Sequence, residues 1–414
     1  MTTFLPRAVH PDAAPDVRTD LCPDPGPDLS PDAGPVAARH ASPSPDTPAL
    51  NDLLNRCQAF SPEYGGGLST HLPMALQSLH GLGAPPARLQ ALFDAVAPRL
   101  QVRPGAAGRR PVSLPDDWPA LRGRIDAFET LRQALARLAA RDGLAATLTA
   151  ALPLLMPGVA AAALHGLIRT AHGVAAGHAD ELISGLAYWA ARHAPLGLPA
   201  AAAGPRPLTR SLADWLAGLQ ALPMPHGTAS NRIHQRMQAH AGVAGFAAVA
   251  STLAVDDGTL DALARHAAGL YADTGDFTVL HLVTGCQAMR VLLPWLADRP
   301  GALRPFSIAA AAALRASGLR QIDVASSGRS MTASPTDTPT VTPTVTPTVT
   351  PTRALLPWAE TVRRAIASDD AHVIKLVQAC RCHHTATGAA VFQAAASRAV
   401  QHSLSAPPSA ARLA

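Results

Sequence analysis

One stretch near the C-terminus, residues 369–380 with the sequence DDAHVIKLVQAC, combines residue types that could do chemistry. It holds Lys375, the only lysine among the 34 basic residues of the chain, the others being arginines. Arginine keeps its proton in proteins, whereas a buried lysine can become a neutral, nucleophilic amine. His372 precedes Lys375 by three residues, which on a helix places both side chains on one face. The stretch predicts either a buried reactive amine beside an imidazole, or an amphipathic helix whose lysine reaches solvent from its rim.

Three more histidines interrupt helical patterns that are otherwise apolar or follow a loop. His71 follows a loop with three consecutive glycines, His165 follows an uncharged run of mostly alanine and leucine, and His281 lies in the apolar segment FTVLHLVTGCQAMRVLLPWL. A buried imidazole costs free energy unless its nitrogens find partners, and hydrogen bonds in the core or one shared metal ion would supply them. Helical bundles build metal sites from side chains on facing helices. The metal hypothesis assigns four imidazole ligands: His71, His165, His281 and His372.

The residues leave the identity of the metal open, since imidazole suits iron, zinc, copper and nickel. A neutral Lys375 amine could add carbon dioxide and form a carbamate, which is an anionic oxygen ligand. It would stand in for a carboxylate, because Asp and Glu occur only toward the ends of these helices. Lys375 is therefore a fifth predicted metal ligand, and His372 and Lys375 are the predicted catalytic residues.

Other clusters of histidine and cysteine carry weaker hypotheses. His172 lies seven residues after His165, two turns along the same helix face. His226, His234 and His240 have polar neighbours and are expected to be solvated. A zinc tetrad near the C-terminus is disfavoured, because i,i+2 spacing on a helix points its cysteines apart: Cys380, Cys382, His383 and His384.

The elements that would position these residues are predicted to be helices. The chain has 414 residues, of which 48% are hydrophobic and 4% aromatic, so a sizeable core is possible and strand propensity is low. Alanine and leucine dominate the sequence and favour helix. We therefore expect an all-α fold, a single large helical domain with a buried site between its helices.

Two segments of different composition fall outside that domain. Residues 1–48 are rich in proline, aspartate and alanine, the composition of a disordered tail. Residues 326–352 contain the repeat PTVTPTVTPTVTPT, whose prolines exclude a helix and predict an extended linker or surface insertion. The catalytic domain is thus expected to comprise residues 49–325 and 353–405, with helix resuming at Leu355 and continuing through Lys375.

Two local patterns concern the ends of helices. Thr70 or Ser69 is the expected N-cap of the helix after the glycine loop, with Pro73 tolerated in its first turn. Residues 144–164 carry no charge and are long enough to span a bilayer. The prolines within this run favour instead two buried helices that meet at a break.

Charge and composition exclude several classes of protein. The net charge is +5, but the arginines are scattered without interleaved aromatics, which argues against a nucleic-acid surface. The sequence has no dinucleotide-binding glycine motif, phosphate-binding loop or serine elbow, and no secretory signal pattern. An odd number of cysteines without framework spacing indicates a reducing compartment: Cys22, Cys57, Cys286, Cys380 and Cys382. We expect a cytoplasmic protein without a nucleic-acid or membrane partner, and the sequence leaves its oligomeric state open.

Several separated motifs together resemble the questin oxidase-like family. They are HLPMAL from His71, LPLLMPGVAAAALHGLIRTAHGV from Leu152, GLAYWAARH from Gly185, the segment around His281, and DDAHVIKLVQAC. The resemblance extends from about residue 50 to residue 400, interrupted by the Pro-Thr repeat. The chain departs from the family pattern in its long N-terminal tail, in that repeat, and at His172, where an aromatic residue is common.

The resemblance implies an oxidoreductase that opens anthraquinone-type or related polyketide rings. One kind of member is an iron-dependent dioxygenase whose metal is held by four histidines and a carboxylated lysine, which correspond here to the ligands already named: His71, His165, His281, His372 and Lys375. We therefore expect buried iron, dioxygen and a polycyclic aromatic substrate. His172 could compete with His165 as a ligand. The alternatives are an NADPH-dependent, metal-free Baeyer–Villiger oxidase and a non-enzymatic binding protein with the same fold.

Overall fold

The computed structural model describes residues 47–103, 118–196, 211–227, 230–319, 322 and 355–403. Helices form nearly all the regular structure of this part of the chain, and the expected all-α fold is confirmed. The α-helices are α1 Thr47–Cys57, α2 Leu72–Gly81, α3 Pro86–Val96, α4 Phe128–Asp142, α5 Leu144–Leu155, α6 His165–Ala176, α7 Ala179–Ala191, α8 Leu212–Gln220, α9 Ile233–Ala241, α10 Phe246–Ala250, α11 Thr259–Thr274, α12 Phe277–Leu292, α13 Arg299–Ala316, α14 Trp358–Ala367, α15 Ala371–Thr387 and α16 Val391–Ser403.

The glycine loop before His71 forms a small β-hairpin. Strand β1 (Glu63–Tyr64) pairs antiparallel with strand β2 (Leu68–Ser69). Gly65, Gly66 and Gly67 connect the strands with φ angles of 53°, 77° and 107°, which glycine adopts readily because it lacks a Cβ. The sequence predicted the loop but not the pairing, since two-residue strands are too short to show a period-2 pattern.

Four helices around the centre of the domain pack in a closed ring. α2 contacts α6 and α15, and α12 contacts the same two helices. The four predicted histidine ligands lie on or immediately before these helices, and Lys375 lies on α15. The fold thus brings together segments that are up to 300 residues apart in sequence.

Glycines allow α6 to approach its neighbours closely. A Cβ added at Gly166 on α6 would lie 2.7 Å from the Cα of Trp189 on α7. A Cβ added at Gly285 on α12 would lie 2.7 Å from the Cδ1 of Leu164, the residue before α6. Real Cβ atoms do not come this close to a backbone atom, so Gly166 sets the distance between α6 and α7 and thereby the position of His165. The contact at Gly285 is to the end of a flexible side chain.

The apolar run 144–164 is not two helices that meet at a proline. α5 includes Pro153 within its last turn, and a 3-10 turn follows at Met156–Gly158. Proline has no backbone N–H with which to continue the hydrogen bonding of a helix, and α5 ends two residues later at Leu155. Within the described residues, one helical stretch, Phe277–Trp295, is long and apolar enough to cross a membrane, and 78% of its apolar window is buried inside the protein.

The predicted continuous helix from Leu355 through Lys375 is wrong. α14 ends at Ala367 and α15 begins at Ala371. The Asp370 carboxylate accepts a hydrogen bond from the backbone N–H of His372 at 2.8 Å and so starts the second helix. Most of the predicted tail and the whole predicted insertion lie outside the described residues, so the division into domains stays a prediction.

Candidate functional site

The imidazoles of the four predicted ligands lie together in the core. The centroid of the His71 ring is 4.8 Å from that of His165 and 4.5 Å from that of His372. The His281 ring is 5.0 Å from His165 and 5.3 Å from His372. All four side chains are buried. The structure thus brings these histidines into one cluster, which we call the histidine cluster, while their role as metal ligands stays a prediction.

A strained turn positions His165. Ala162, Ala163 and Leu164 have φ angles of 47°, 56° and 72°, a left-handed conformation that costs about 1–2 kcal/mol for each residue with a Cβ. The His165 Nδ1 donates a hydrogen bond to the Ala162 carbonyl oxygen at 2.6 Å across this turn. Strain of this kind concentrates at functional sites. The hydrogen bond to Ala162 fixes both the orientation of the His165 imidazole and its tautomer, and it leaves the lone pair on Nε2.

His281 and His372 are held in the same way. The Nδ1 of His281 donates to the Phe277 carbonyl oxygen at 2.7 Å, and the Nδ1 of His372 lies 3.2 Å from the Asp370 carboxylate. Because these oxygens can only accept, both rings carry a proton on Nδ1 and a lone pair on Nε2. The His372 Nε2 is buried and has no hydrogen-bond partner among the described residues. Each ring therefore presents a lone pair to the cluster.

His71 occupies a different hydrogen-bonding position. It is the N-cap of α2, so the predicted cap at Thr70 or Ser69 is wrong. The Thr70 hydroxyl donates to the Ser61 carbonyl oxygen, and the Ser69 hydroxyl bonds the Tyr188 hydroxyl. The Nε2 atoms of His71 and His165 are 2.8 Å apart. Since the His165 Nε2 carries a lone pair, the His71 Nε2 must hold the proton that joins them.

Lys375 is buried, with 1% of its side chain surface exposed. Burial lowers the pKa of its amine to about 7, and the nearby Asp370 carboxylate opposes part of that shift. Burial is the largest cause that lowers the pKa of each cluster histidine, and the positive charge of Lys375 lowers it further. The alternative that Lys375 reaches solvent from the rim of an amphipathic helix is therefore wrong.

A cavity of about 460 Å³ opens onto the histidine cluster. Glu63 and Arg192 form an ion pair in its lining, with the Arg192 Nε 2.6 Å from Glu63 Oε1 and Nη2 2.5 Å from Oε2. The Tyr188 hydroxyl donates to the same carboxylate at 3.0 Å. A cavity of this size accommodates a small organic molecule. The lining combines alanine side chains of the strained turn with polar and charged side chains.

A comparison with family models finds one match, to the model described as Questin oxidase-like, over residues 68–380. The chain belongs to the questin oxidase-like family. The matched region contains the whole histidine cluster, Lys375 and the cavity lining from Leu68 onward. A search of curated proteins finds no match to the chain. Membership of the family indicates an oxidoreductase that acts on aromatic polyketides.

The cluster of this questin oxidase-like protein suits a metal in the type of its donors. Two nitrogens that bind one ion at about 2.1 Å each and at right angles are about 3 Å apart, close to the 2.8 Å between the Nε2 atoms of His71 and His165. In the described part of the chain, however, no three His, Cys, Asp or Glu side chains are already arranged around a common point as metal ligands. Binding an ion would require the shared proton of His71 and His165 to leave.

The other histidines occupy separate places. His172 bonds Gln77, with its Nδ1 2.6 Å from the amide oxygen, and lines a second cavity of about 20 Å³ with Lys375. His234 lines the large cavity and is half-buried, and His226 is exposed. The expectation that His240 is solvated is wrong, because 5% of its surface is exposed.

Sequence reasoning missed two residues that contact the cluster. The Phe277 ring lies 4.8 Å from His281 and 4.6 Å from His372, between centroids. Asp370 accepts from the His372 ring. The sequence pattern could have indicated both residues. Phe277 precedes His281 by four residues and so lies on the same helix face, and Asp370 is a typical N-cap residue before an apolar helix.

Proposed function

We propose that this family member is an iron-dependent oxygenase that uses dioxygen to oxidise, and cleave, a polycyclic aromatic ketone or quinone. The observation behind this proposal is the histidine cluster itself, four imidazoles from separate segments that line one cavity. Three of the rings donate from Nδ1 and so carry a lone pair on Nε2, although the lone pair of His165 accepts the hydrogen bond from His71. Four histidines would hold one mononuclear iron, and Lys375 would bind it as a carbamate. The four histidines are His71, His165, His281 and His372.

Charge supports the role given to Lys375. The pKa of each cluster histidine is lowered, so all four imidazoles are neutral at neutral pH. A buried divalent cation among neutral ligands lacks a compensating anion. With a pKa of about 7, much of the Lys375 amine is unprotonated, and its nitrogen can add to the carbon of carbon dioxide with loss of one proton. The carbamate would supply the anion and favour the oxidised metal.

The bound iron would supply activation of dioxygen, and the surrounding residues have separate roles in this proposal. Asp370 holds the proton on the His372 Nδ1 and so keeps Nε2 available. Phe277, which packs on two of the rings, covers the cluster with an apolar face beside the cavity. The cavity itself would bind the aromatic rings of the substrate next to the histidines.

Metal analysis tests the proposal directly. Protein purified without chelators is expected to contain about one iron per chain and to consume dioxygen with an anthraquinone-type substrate in the absence of NADPH. Removal of the metal should stop turnover, and added ferrous iron should restore it. Turnover that needs NADPH and continues in metal-free protein would instead support a Baeyer–Villiger oxidase. Protein that binds the aromatic ligand without metal or turnover would support the non-enzymatic alternative.

A further inference from the structure

The lining of the large cavity carries more positive than negative charge. Two arginines and one acidic residue, Glu63, lie among the described residues that line it. Both guanidinium groups approach the hairpin at Gly67: a Cβ there would lie 3.6 Å from the Arg232 Nη1 and 3.8 Å from the Arg192 Nη2. The φ angle of Gly67, +107°, also requires glycine.

Within the residues that the structure describes, Arg192 is the one of these two arginines that forms an ion pair. Glu63 receives two hydrogen bonds from Arg192 and one from Tyr188, which occupies both carboxylate oxygens. Arg232 forms no ion pair within 4.0 Å with any carboxylate in the part of the chain that the structure describes. Among the described residues, the guanidinium of Arg232 therefore lies in the cavity lining without a carboxylate in an ion pair with it.

The neighbouring titratable group does not change this charge. Burial and the positive charges of Arg192 and Arg232 lower the pKa of His234, which also lines the cavity. His234 is accordingly neutral at neutral pH and offers hydrogen bonds. His193, a second titratable lining residue, is neutral as well, because burial and the charge of Arg122 lower its pKa to about 4. The other polar side chains near Arg232 in the lining include three neutral amides: Asn231, Gln235 and Gln238.

We propose that Arg232 binds an acidic oxygen substituent of the aromatic ligand, a carboxylate or a phenolate, while the rings extend toward the histidine cluster. A guanidinium binds such oxygens through paired, charge-assisted hydrogen bonds. The substituent would thus decide which end of the ring system faces His281 and Phe277. The identity of the ligand as an aromatic polyketide rests on the proposed function, whereas charge-selective binding at Arg232 does not require metal or turnover.

Equilibrium binding to the full-length protein tests this role without catalysis. The probes are anthraquinone-2-carboxylate, its carboxamide and a hydroxyanthraquinone, titrated under anaerobic conditions into metal-free and iron-loaded protein. Arg232→Gln is expected to weaken binding of the carboxylate about 10- to 100-fold and to change binding of the carboxamide less than about twofold. Arg232→Lys should restore part of the lost affinity. The hydroxyanthraquinone, compared below and above its own pKa, shows whether a phenolate is bound in the same way.

Arg265→Gln is the matched control, because Arg265 is exposed on α11 and does not line the cavity. It should leave the affinity for every probe unchanged. Equal losses for carboxylate and carboxamide in Arg232→Gln would show a merely structural role and overturn the proposal. A wild-type protein that binds the carboxylate no more tightly than the carboxamide, or binds neither, would also overturn it. Loss of iron or turnover with charge-selective binding intact would contradict the proposed function alone.

Discussion

The buried amine of Lys375 is the residue that distinguishes this site from a simple histidine cluster. Within the described residues it forms no ion pair with a carboxylate within 4.0 Å, and burial lowers its pKa to about 7. A buried lysine with a structural role is usually stabilised by a charged partner, whereas the lowered pKa of Lys375 favours the neutral amine. That property is what carbamate formation needs.

Lys375→Arg is expected to reduce bound iron to below about a tenth of the wild-type content, because arginine keeps the charge but presents no neutral amine. Elemental analysis of both proteins, purified in parallel, measures the change. Stripping bicarbonate and carbon dioxide from the wild type should lower iron binding, and restoring bicarbonate should recover it. Arg265→Gln is the control, since Arg265 is exposed on α11 and does not line the cavity. Full iron content in folded Lys375→Arg would refute the carbamate.

Asp370 caps α15 and also accepts a hydrogen bond from the His372 ring, and Asp370→Asn separates these two roles. Asparagine caps a helix about as well as aspartate, so thermal stability should change little. The loss of the carboxylate beside the His372 Nδ1 should weaken iron binding about 10- to 100-fold. Asp276→Asn is a matched control, because Asp276 caps α12 through two backbone N–H groups. Titration of iron into the three metal-free proteins gives the comparison, and equal affinities would exclude a role for Asp370 in the site.

Among the elements, the close contact between α6 and α7 sets the position of His165. Gly166→Ala places a Cβ 2.7 Å from the Cα of Trp189, and such overpacking typically costs about 1–3 kcal/mol. Gly81→Ala is the control, because its nearest contact would be an ordinary 3.7 Å to Gln378. Urea unfolding should show a lower free energy of unfolding only in Gly166→Ala, together with weaker iron binding. Unchanged stability in both variants would show that α6 and α7 move apart without cost.

The sequence predicted these elements unevenly, for physical reasons. Helical periodicity and alanine-leucine composition were sufficient for the all-α class and for the helices that carry His281 and Lys375. The N-cap of α2 was missed because Thr70 bonds Ser61 instead, a tertiary contact that local patterns do not contain. The left-handed turn at Ala162 and Ala163 was also invisible, since alanine there gives no hint of a strained backbone.

At the scale of the whole molecule, buried neutral histidines make folding sensitive to acid. Burial, with help from Arg290, lowers the pKa of His383 from 6.5 to about 3. Below pH 6.5 the unfolded chain therefore binds a proton that the folded chain does not, and stability falls as the pH falls toward 3. One such histidine contributes a slope of at most about 1.4 kcal/mol per pH unit.

His383→Gln should make the free energy of unfolding depend less steeply on pH, by the slope that about one bound proton contributes. Unfolding of metal-free protein in urea at pH 6.5, 5.5 and 4.5 gives the slope for the variant and for the wild type. His402→Gln, at an exposed histidine on α16, controls for the loss of an imidazole as such. Parallel stability curves for the wild type and His383→Gln would show that His383 is protonated in the folded state.

In our proposal one iron binds where the four imidazoles of the histidine cluster meet, beside a carboxylated Lys375. A crystal of protein purified without chelators, with anomalous data collected on both sides of the iron absorption edge, would show whether the metal is there. We expect a single anomalous peak within bonding distance of the four histidines, and electron density for a carbamate on Lys375 that reaches the peak. A peak elsewhere, or a His71–His165 hydrogen bond that persists in protein shown to contain iron, would refute this iron site.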